Sequence, residues 1–200
     1  MLRVGLTGGL ASGKSFVGQA LAGLGCHLIQ ADEIGHQVLA RGGEAFDPVV
    51  EEFGPGILAP DGSIDRKCLA AEVFARPERL AALTRLVHPP VIRRENELTA
   101  EIGEREPGAI VVVEAAVMIE AGSHTRFDKM ILAVCTPAQQ VERAMLRDRI
   151  SREKALARMG RQMPLEEKLK FADYVIDTSR DQADTLRQVQ EVYHLLRSIA

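Results

Sequence analysis

A basic excess is the first thing this 200-residue chain lacks: 25 Lys and Arg stand against 28 Asp and Glu, a formal net charge of −3. A general nucleic-acid binder carries a positive balance, so that class of partner is disfavoured. Cysteine is scarce. Cys26, Cys68 and Cys135 are odd in number and far apart, with no Cys-x-x-Cys or Cys/His ligand spacing. A disulfide framework and a structural zinc are therefore disfavoured, and a reducing compartment fits better. Long hydrophobic runs are missing too. The longest, over 109–119, is interrupted by Glu114 and is too short to span a bilayer. The opening Met1-Leu2-Arg3-Val4 lacks the apolar core and small-residue cleavage site of a secretory signal. These absences point to a cytoplasmic protein with no membrane partner. No internal repeat and no low-complexity tract is visible, and the absence of tryptophan excludes nothing.

What is present is a chain that is 46% hydrophobic, enough to bury a core, which excludes a disordered or collagen-like polymer. Its length suits one domain, or one with an insertion. The average charge hides an asymmetry. Between residues 143 and 161 seven basic side chains meet only two acids, so that segment is +5 and the remainder is −8.

Short apolar runs at 2–7, 27–30, 109–113, 130–134 and 174–176 read as buried strands. Helical patterns cover 14–24, 32–40, 66–74, 78–104, 137–149, 152–159, 164–172 and 181–199. Thr136-Pro137-Ala138-Gln139 is a helix start, with a capping-box pair and proline at the first helical position. Alternating strands and helices imply an α/β fold, a five-stranded parallel sheet flanked by helices. Nearly 80 residues separate the second strand from the third. Gly42-Gly43, Gly54-Pro55-Gly56 and Asp61-Gly62 punctuate the first part as turns, and 66–104 is mostly helical. Such an excursion either elaborates the scaffold or walls a cleft beyond the carboxyl ends of the strands, and the cleft is favoured.

Gly8-Gly9-Leu10-Ala11-Ser12-Gly13-Lys14-Ser15 matches G-x-x-x-x-G-K-[ST], after an apolar strand and at the start of a helix. Glycines let successive backbone N–H groups curl around an anion, and the helix N-terminus adds partial positive charge. Lys14 supplies a point charge for β- and γ-phosphates, and Ser15 a hydroxyl for Mg²⁺. A nucleoside triphosphate with Mg²⁺ is the expected ligand. The second strand ends at Asp32, placed either to take a proton from an attacking hydroxyl, to hold Mg²⁺ through water, or to cap the next helix. The third ends at Glu114, which either supports Mg²⁺ or pairs locally. Arg143 and Arg147 share a helix face. With the other basic residues they form either a solvated face or a lid that closes on triphosphate, and the lid is favoured because a phosphate loop is already present. One loop, a helical excursion and a lid describe a small-molecule kinase of the nucleoside monophosphate kinase type.

At this level the chain resembles the dephospho-CoA kinase family over about residues 2 to 180. The loop is similar to that family's G-L-T-G-G-I-G-S-G-K-S, and Ala31-Asp32 falls on its D-A-D. Asp61-Gly62-Ser63-Ile64-Asp65-Arg66 matches D-G-x-I-D-R, and His88-Pro89 falls on H-P. Glu114 to Glu120 resembles D-V-P-L-L-F-E, and Gln162-Met163-Pro164-Leu165-Glu166-Glu167-Lys168 resembles Q-M-P-x-E-E-K. Ala172-Asp173-Tyr174-Val175-Ile176-Asp177 matches A-D-x-V-I-D. Departures are Gln30 for the first Asp of D-A-D, His36 where Arg is common, Phe16 for Thr after Ser15, and Thr178-Ser179-Arg180 for N-x-G. Glu114-Ala115-Ala116 also lacks the usual Pro.

The resemblance implies ATP-dependent phosphorylation of the ribose 3′-hydroxyl of dephospho-CoA, the last step of coenzyme A synthesis. It implies ATP and Mg²⁺ as cofactors, and ATP and dephospho-CoA as the small-molecule partners. Residues 8–16 (Gly8, Gly9, Leu10, Ala11, Ser12, Gly13, Lys14, Ser15 and Phe16) would bind the nucleotide. Asp32 would be the base, Lys14, Arg143 and Arg147 would act on the phosphates, and Asp32, Arg66, His88 and Glu114 would meet the acceptor. The expected organisation is one domain, with a core of 1–60, 106–140 and 172–200, a helical acceptor region at 61–105 and a lid at 141–171. A different small-molecule kinase and a nucleotide-dependent switch remain as alternative classes, and oligomeric state stays open.

Overall fold

Each of the five apolar runs becomes a strand in the computed structural model, which describes residues 1–74 and 76–200. These are β1 (Leu2–Gly8), β2 (His27–Gln30), β3 (Ile110–Glu114), β4 (Lys129–Val134) and β5 (Tyr174–Asp177), in the order β2-β3-β1-β4-β5. β1 runs parallel to β3 and β4, and β4 runs parallel to β5. Parallel neighbours need crossovers, and helices supply them. In the central register Leu6 lies opposite Glu114 on one side and Ile131 on the other, so the strand ends gather at the carboxyl edge.

The chain divides into two compact units: residues 1–29 with 101–200, and residues 30–100. In the first, α1 (Lys14–Gly23) and α9 (Gln182–Arg197) cover one face of the sheet. Val17 and Leu21 of α1 and Val189, Val192 and Leu196 of α9 join Val4, Leu6, Val112, Ile131 and Ile176 in one buried cluster. Each fully buried aliphatic side chain there contributes about 1.5–3 kcal/mol. The basic segment forms α6 (Pro137–Asp148), α7 (Arg152–Met159) and the short α8 (Leu165–Leu169), an arginine-rich arm with its own small core of Val141, Ala144 and Ala155. The expected capping box is present: Thr136 Oγ1 accepts from Gln139 N, and Gln139 Oε1 accepts from Thr136 N at 3.1 Å.

The second unit holds α2 (Ala31–Val38), α3 (Phe46–Phe53), α4 (Arg66–Phe74) and most of α5 (Pro77–Arg105). It begins at residue 30. α3 forms within the stretch that Gly42-Gly43 and Gly54-Pro55-Gly56 punctuate as turns. Its flanking glycines masked an amphipathic spacing in which Val49 and Phe53 turn inward and are buried. Asp61, Gly62 and Asp65 turn out to be builders of local structure. Asp61 Oδ1 accepts from the N–H and hydroxyl of Ser63, Gly62 takes φ 79°, and Asp65 Oδ1 accepts from Lys67 N at 2.8 Å to cap α4. His88 lies inside α5, which continues through Pro89 and Pro90.

Candidate active site

The loop between β1 and α1 shows why this sequence curls. Gly13 sits at φ 83°, and a Cβ there would lie 3.0 Å from Thr178 Oγ1, so glycine is required both for the conformation and for the close approach. Ala11 adopts φ 51°, a left-handed conformation that costs a side-chain-bearing residue about 1–2 kcal/mol. The resembling family pattern has glycine at that position.

The loop carbonyls are held by protein donors. Gly9 O accepts from Ser12 N and Gly13 O from Val17 N. Ser12 O accepts the Thr178 hydroxyl at 2.9 Å, and Ala11 O accepts Cys135 Sγ at 3.9 Å. Burial pushes the Cys135 thiol up from its ordinary range, with Arg143 pulling the other way, so it stays a protonated donor. With its carbonyls engaged, the loop presents the N-terminal N–H groups and dipole of α1, the pairing that attracts phosphate.

Ser15 Oγ donates to Glu114 Oε1 at 2.6 Å. Glu114 is 8% exposed at the end of β3. This brings together the two residues that the sequence suggested separately for Mg²⁺. Both offer hard oxygen atoms, and Mg²⁺ is commonly held by one or two protein oxygens together with substrate phosphates. Among the described residues no cluster of three or more His, Cys, Asp or Glu could hold a metal. Two protein oxygens at this point fit an ion that takes its other ligands from a nucleotide and water.

Arg143 and Arg147 share a face of α6 but do different things. Arg143 donates to Thr178 Oγ1 (3.1 Å) and to the Thr178 carbonyl (2.7 Å). Together with Gly13, Phe16, Arg180 and Gln182 they border a pocket of about 280 Å³. Arg147 is exposed and pairs with Asp148, which also binds Arg158 of α7 at 2.7 Å. Hydrogen bonding from Arg147 holds the Asp148 carboxyl below its ordinary range. Two of the seven basic side chains thus share one acid. A cavity of about 580 Å³ is lined by Gly9, Gln140, Leu156, Met159, Gln162 and Lys168, among others. Sequence reasoning does not find Thr178 and Gln162 as site residues, because the loop groups they bind, Ser12 O and Leu10 N, lie more than 150 positions away in the chain.

Asp32, Arg66 and His88 belong to the second unit. Asp32 is exposed, two residues past the end of β2. It is the second residue of α2, whose N-cap is Gln30, so the reading of Asp32 as the cap is not what the structure shows. Arg66 is exposed at the first position of α4. His88 is half-buried, and burial pushes its imidazole below the ordinary range, opposed by the charge of Glu95.

A parallel sheet of this order, with a glycine loop opening into a helix and a serine–glutamate pair beside it, defines a phosphate-loop kinase. The family model for dephospho-CoA kinase matches residues 2–184. The dephospho-CoA kinase of Aquifex aeolicus is 37% identical over 196 residues, covering 98% of each chain. A solved Thermus thermophilus protein superposes with a TM-score of 0.82 at 31% identity, over 100% of this chain and 98% of its own. The solved dephospho-CoA kinase of Campylobacter jejuni gives a TM-score of 0.72 at 27% identity, over 98% and 97%. The chain belongs to the dephospho-CoA kinase family.

Proposed function

We propose that this chain transfers the γ-phosphoryl group of ATP to the ribose 3′-hydroxyl of dephospho-CoA, giving coenzyme A and ADP, and that the loop and its neighbours carry the nucleotide half of that reaction. Membership of the dephospho-CoA kinase family supports the substrates. The observation that carries the chemistry is the Ser15–Glu114 pair beside the phosphate loop.

In this reading Gly8 to Lys14 cradle the β- and γ-phosphates, and Ser15 with Glu114 would hold Mg²⁺, which neutralises charge on the phosphates when bound. The adenine base enters the pocket that Phe16 and Arg180 border, where planar side chains suit a flat heterocycle, and Arg143, which also borders it, acts on the phosphates. Asp32 orients the 3′-hydroxyl and accepts its proton as the 3′-oxygen attacks the γ-phosphorus and the bond to ADP breaks. Arg147 belongs to a lid over 141–171 and turns to the transferring group on closure. Arg66 and His88 contact the acceptor. The three cysteines are free thiols, which supports a reducing, cytoplasmic setting.

A coupled ADP-release assay with dephospho-CoA, adenosine and AMP as alternative acceptors tests the function. Release with dephospho-CoA alone is expected. Turnover of adenosine or AMP at equal rate would instead assign a nucleoside or nucleotide kinase. ATP binding with no turnover of any acceptor would assign a switch.

A further inference from the structure

The arginine-rich arm is hydrogen-bonded to the crest of the phosphate loop through Gln162. Gln162, which follows α7, accepts a hydrogen bond from Leu10 N at 2.7 Å. Because the loop group is an N–H donor, the carboxamide must present its oxygen, and its orientation is settled.

The segment that carries Gln162 is anchored independently. The next residue, Met163, donates its N–H to Glu120 Oε1 at 3.1 Å. The same oxygen lies 2.7 Å from Lys168 Nζ, whose side chain is 2% exposed. Breaking such a buried ion pair costs more than breaking an exposed one. Residues 162–168 are thus tied at one end to the loop crest and at both ends to the segment after β3. Apolar contact reinforces the join: Leu10 and Ala11 pack with Ile150 and Met159 against Val141, Ala144 and Ala155.

We propose that Gln162 is a positioning residue that latches the arm onto the phosphate loop and holds the loop in its triphosphate-binding shape. This rests on the reading of the loop as the ATP site. A glycine-rich loop has many accessible conformers, and fixing one of its N–H groups in advance lowers the entropy lost when ATP orders it. The latch therefore acts on ATP affinity and leaves the acceptor alone.

The test is a double-mutant cycle on the bond. Gln162→Met keeps the side-chain length and removes the acceptor. Leu10→Pro removes the N–H. ATP dissociation constants are measured by calorimetry, KM for dephospho-CoA by ADP release, and thermal midpoints on nucleotide-free protein. Gln162→Met should weaken ATP about three- to tenfold, the worth of one neutral hydrogen bond, with KM for dephospho-CoA and the midpoint near wild type. The double variant should be no weaker than the worse single. Wild-type ATP affinity in Gln162→Met, an equal loss for both substrates, or additive losses in the double variant would overturn the latch. If Leu10→Pro does not fold, the split between ATP and acceptor in Gln162→Met decides alone. Lys14→Ala separates the two claims. Undiminished ATP affinity there overturns the loop reading itself, whereas loss there beside an unaffected Gln162→Met overturns the latch only.

Discussion

The two units use their motifs differently. In the first, the phosphate-loop and post-strand motifs bind groups far apart in the chain: Ser15 with Glu114, Thr178 with the Ser12 carbonyl and Arg143, Gln162 with the Leu10 N–H. In the second, the Asp61 to Arg66 motif is spent mainly on backbone: an Asp turn, a left-handed glycine and a helix cap. Asp32 and Arg66, the groups there with chemical potential, are exposed. A motif can therefore mark a family equally well whether its residues do chemistry or hold a shape. Only their contacts tell which.

That contrast can be broken at four points. The largest effect is expected at Asp32. Asp32→Asn should lower kcat by about 10²–10⁴-fold, the usual worth of a general base, with KM for ATP close to wild type. Steady-state ADP release measures both, and normal turnover would make the second unit a scaffold throughout. Next comes Glu114→Gln, which should raise the Mg²⁺ concentration for half-maximal rate by about 10–100-fold, read from a Mg²⁺ titration of activity. A smaller effect is expected at Gly62→Ala. Forcing a side chain into φ 79° should cost about 1–2 kcal/mol of stability, seen as a lower denaturant midpoint, while calorimetric ATP affinity stays put. A changed ATP affinity would mean that this motif does more than shape.

The smallest effect concerns pH. Burial holds His88 below the ordinary histidine range, so the folded state binds its proton less readily than the unfolded chain does. Its contribution to stability is then fully present above the unfolded value of about 6.5 and is lost as pH falls through the folded value. His88→Asn should flatten the fall in thermal midpoint just below that pH. An unchanged slope would assign the acid sensitivity to carboxylates.

Much of the architecture was legible because it is written in local periodicity. All five strands and eight of the helices fall close to where apolar spacing put them, since one buried face imposes a period of two or 3.6 on the residues themselves. α3 escaped because Gly42, Gly43 and Gly54 spoke louder than Val49 and Phe53, and the inward turn of those two side chains is a tertiary fact. The unit boundary at residue 30 was equally hidden, because no change of composition marks it.

The candidate site divides along the same line. Residues 8–15 determine a phosphate loop by themselves, because an anion nest is made from consecutive backbone N–H groups and needs only glycines at set positions. The sequence also placed an acid at the end of each of two strands. It could not say that Glu114 would meet Ser15 while Asp32 stood exposed, because that depends on which strand lies beside β1. Nor could it say that Arg143 would turn to Thr178, or that Gln162 would close on Leu10. Hydrogen bonds of about 3 Å between residues that far apart in the chain are decided by strand order and helix packing, and only the folded chain contains them.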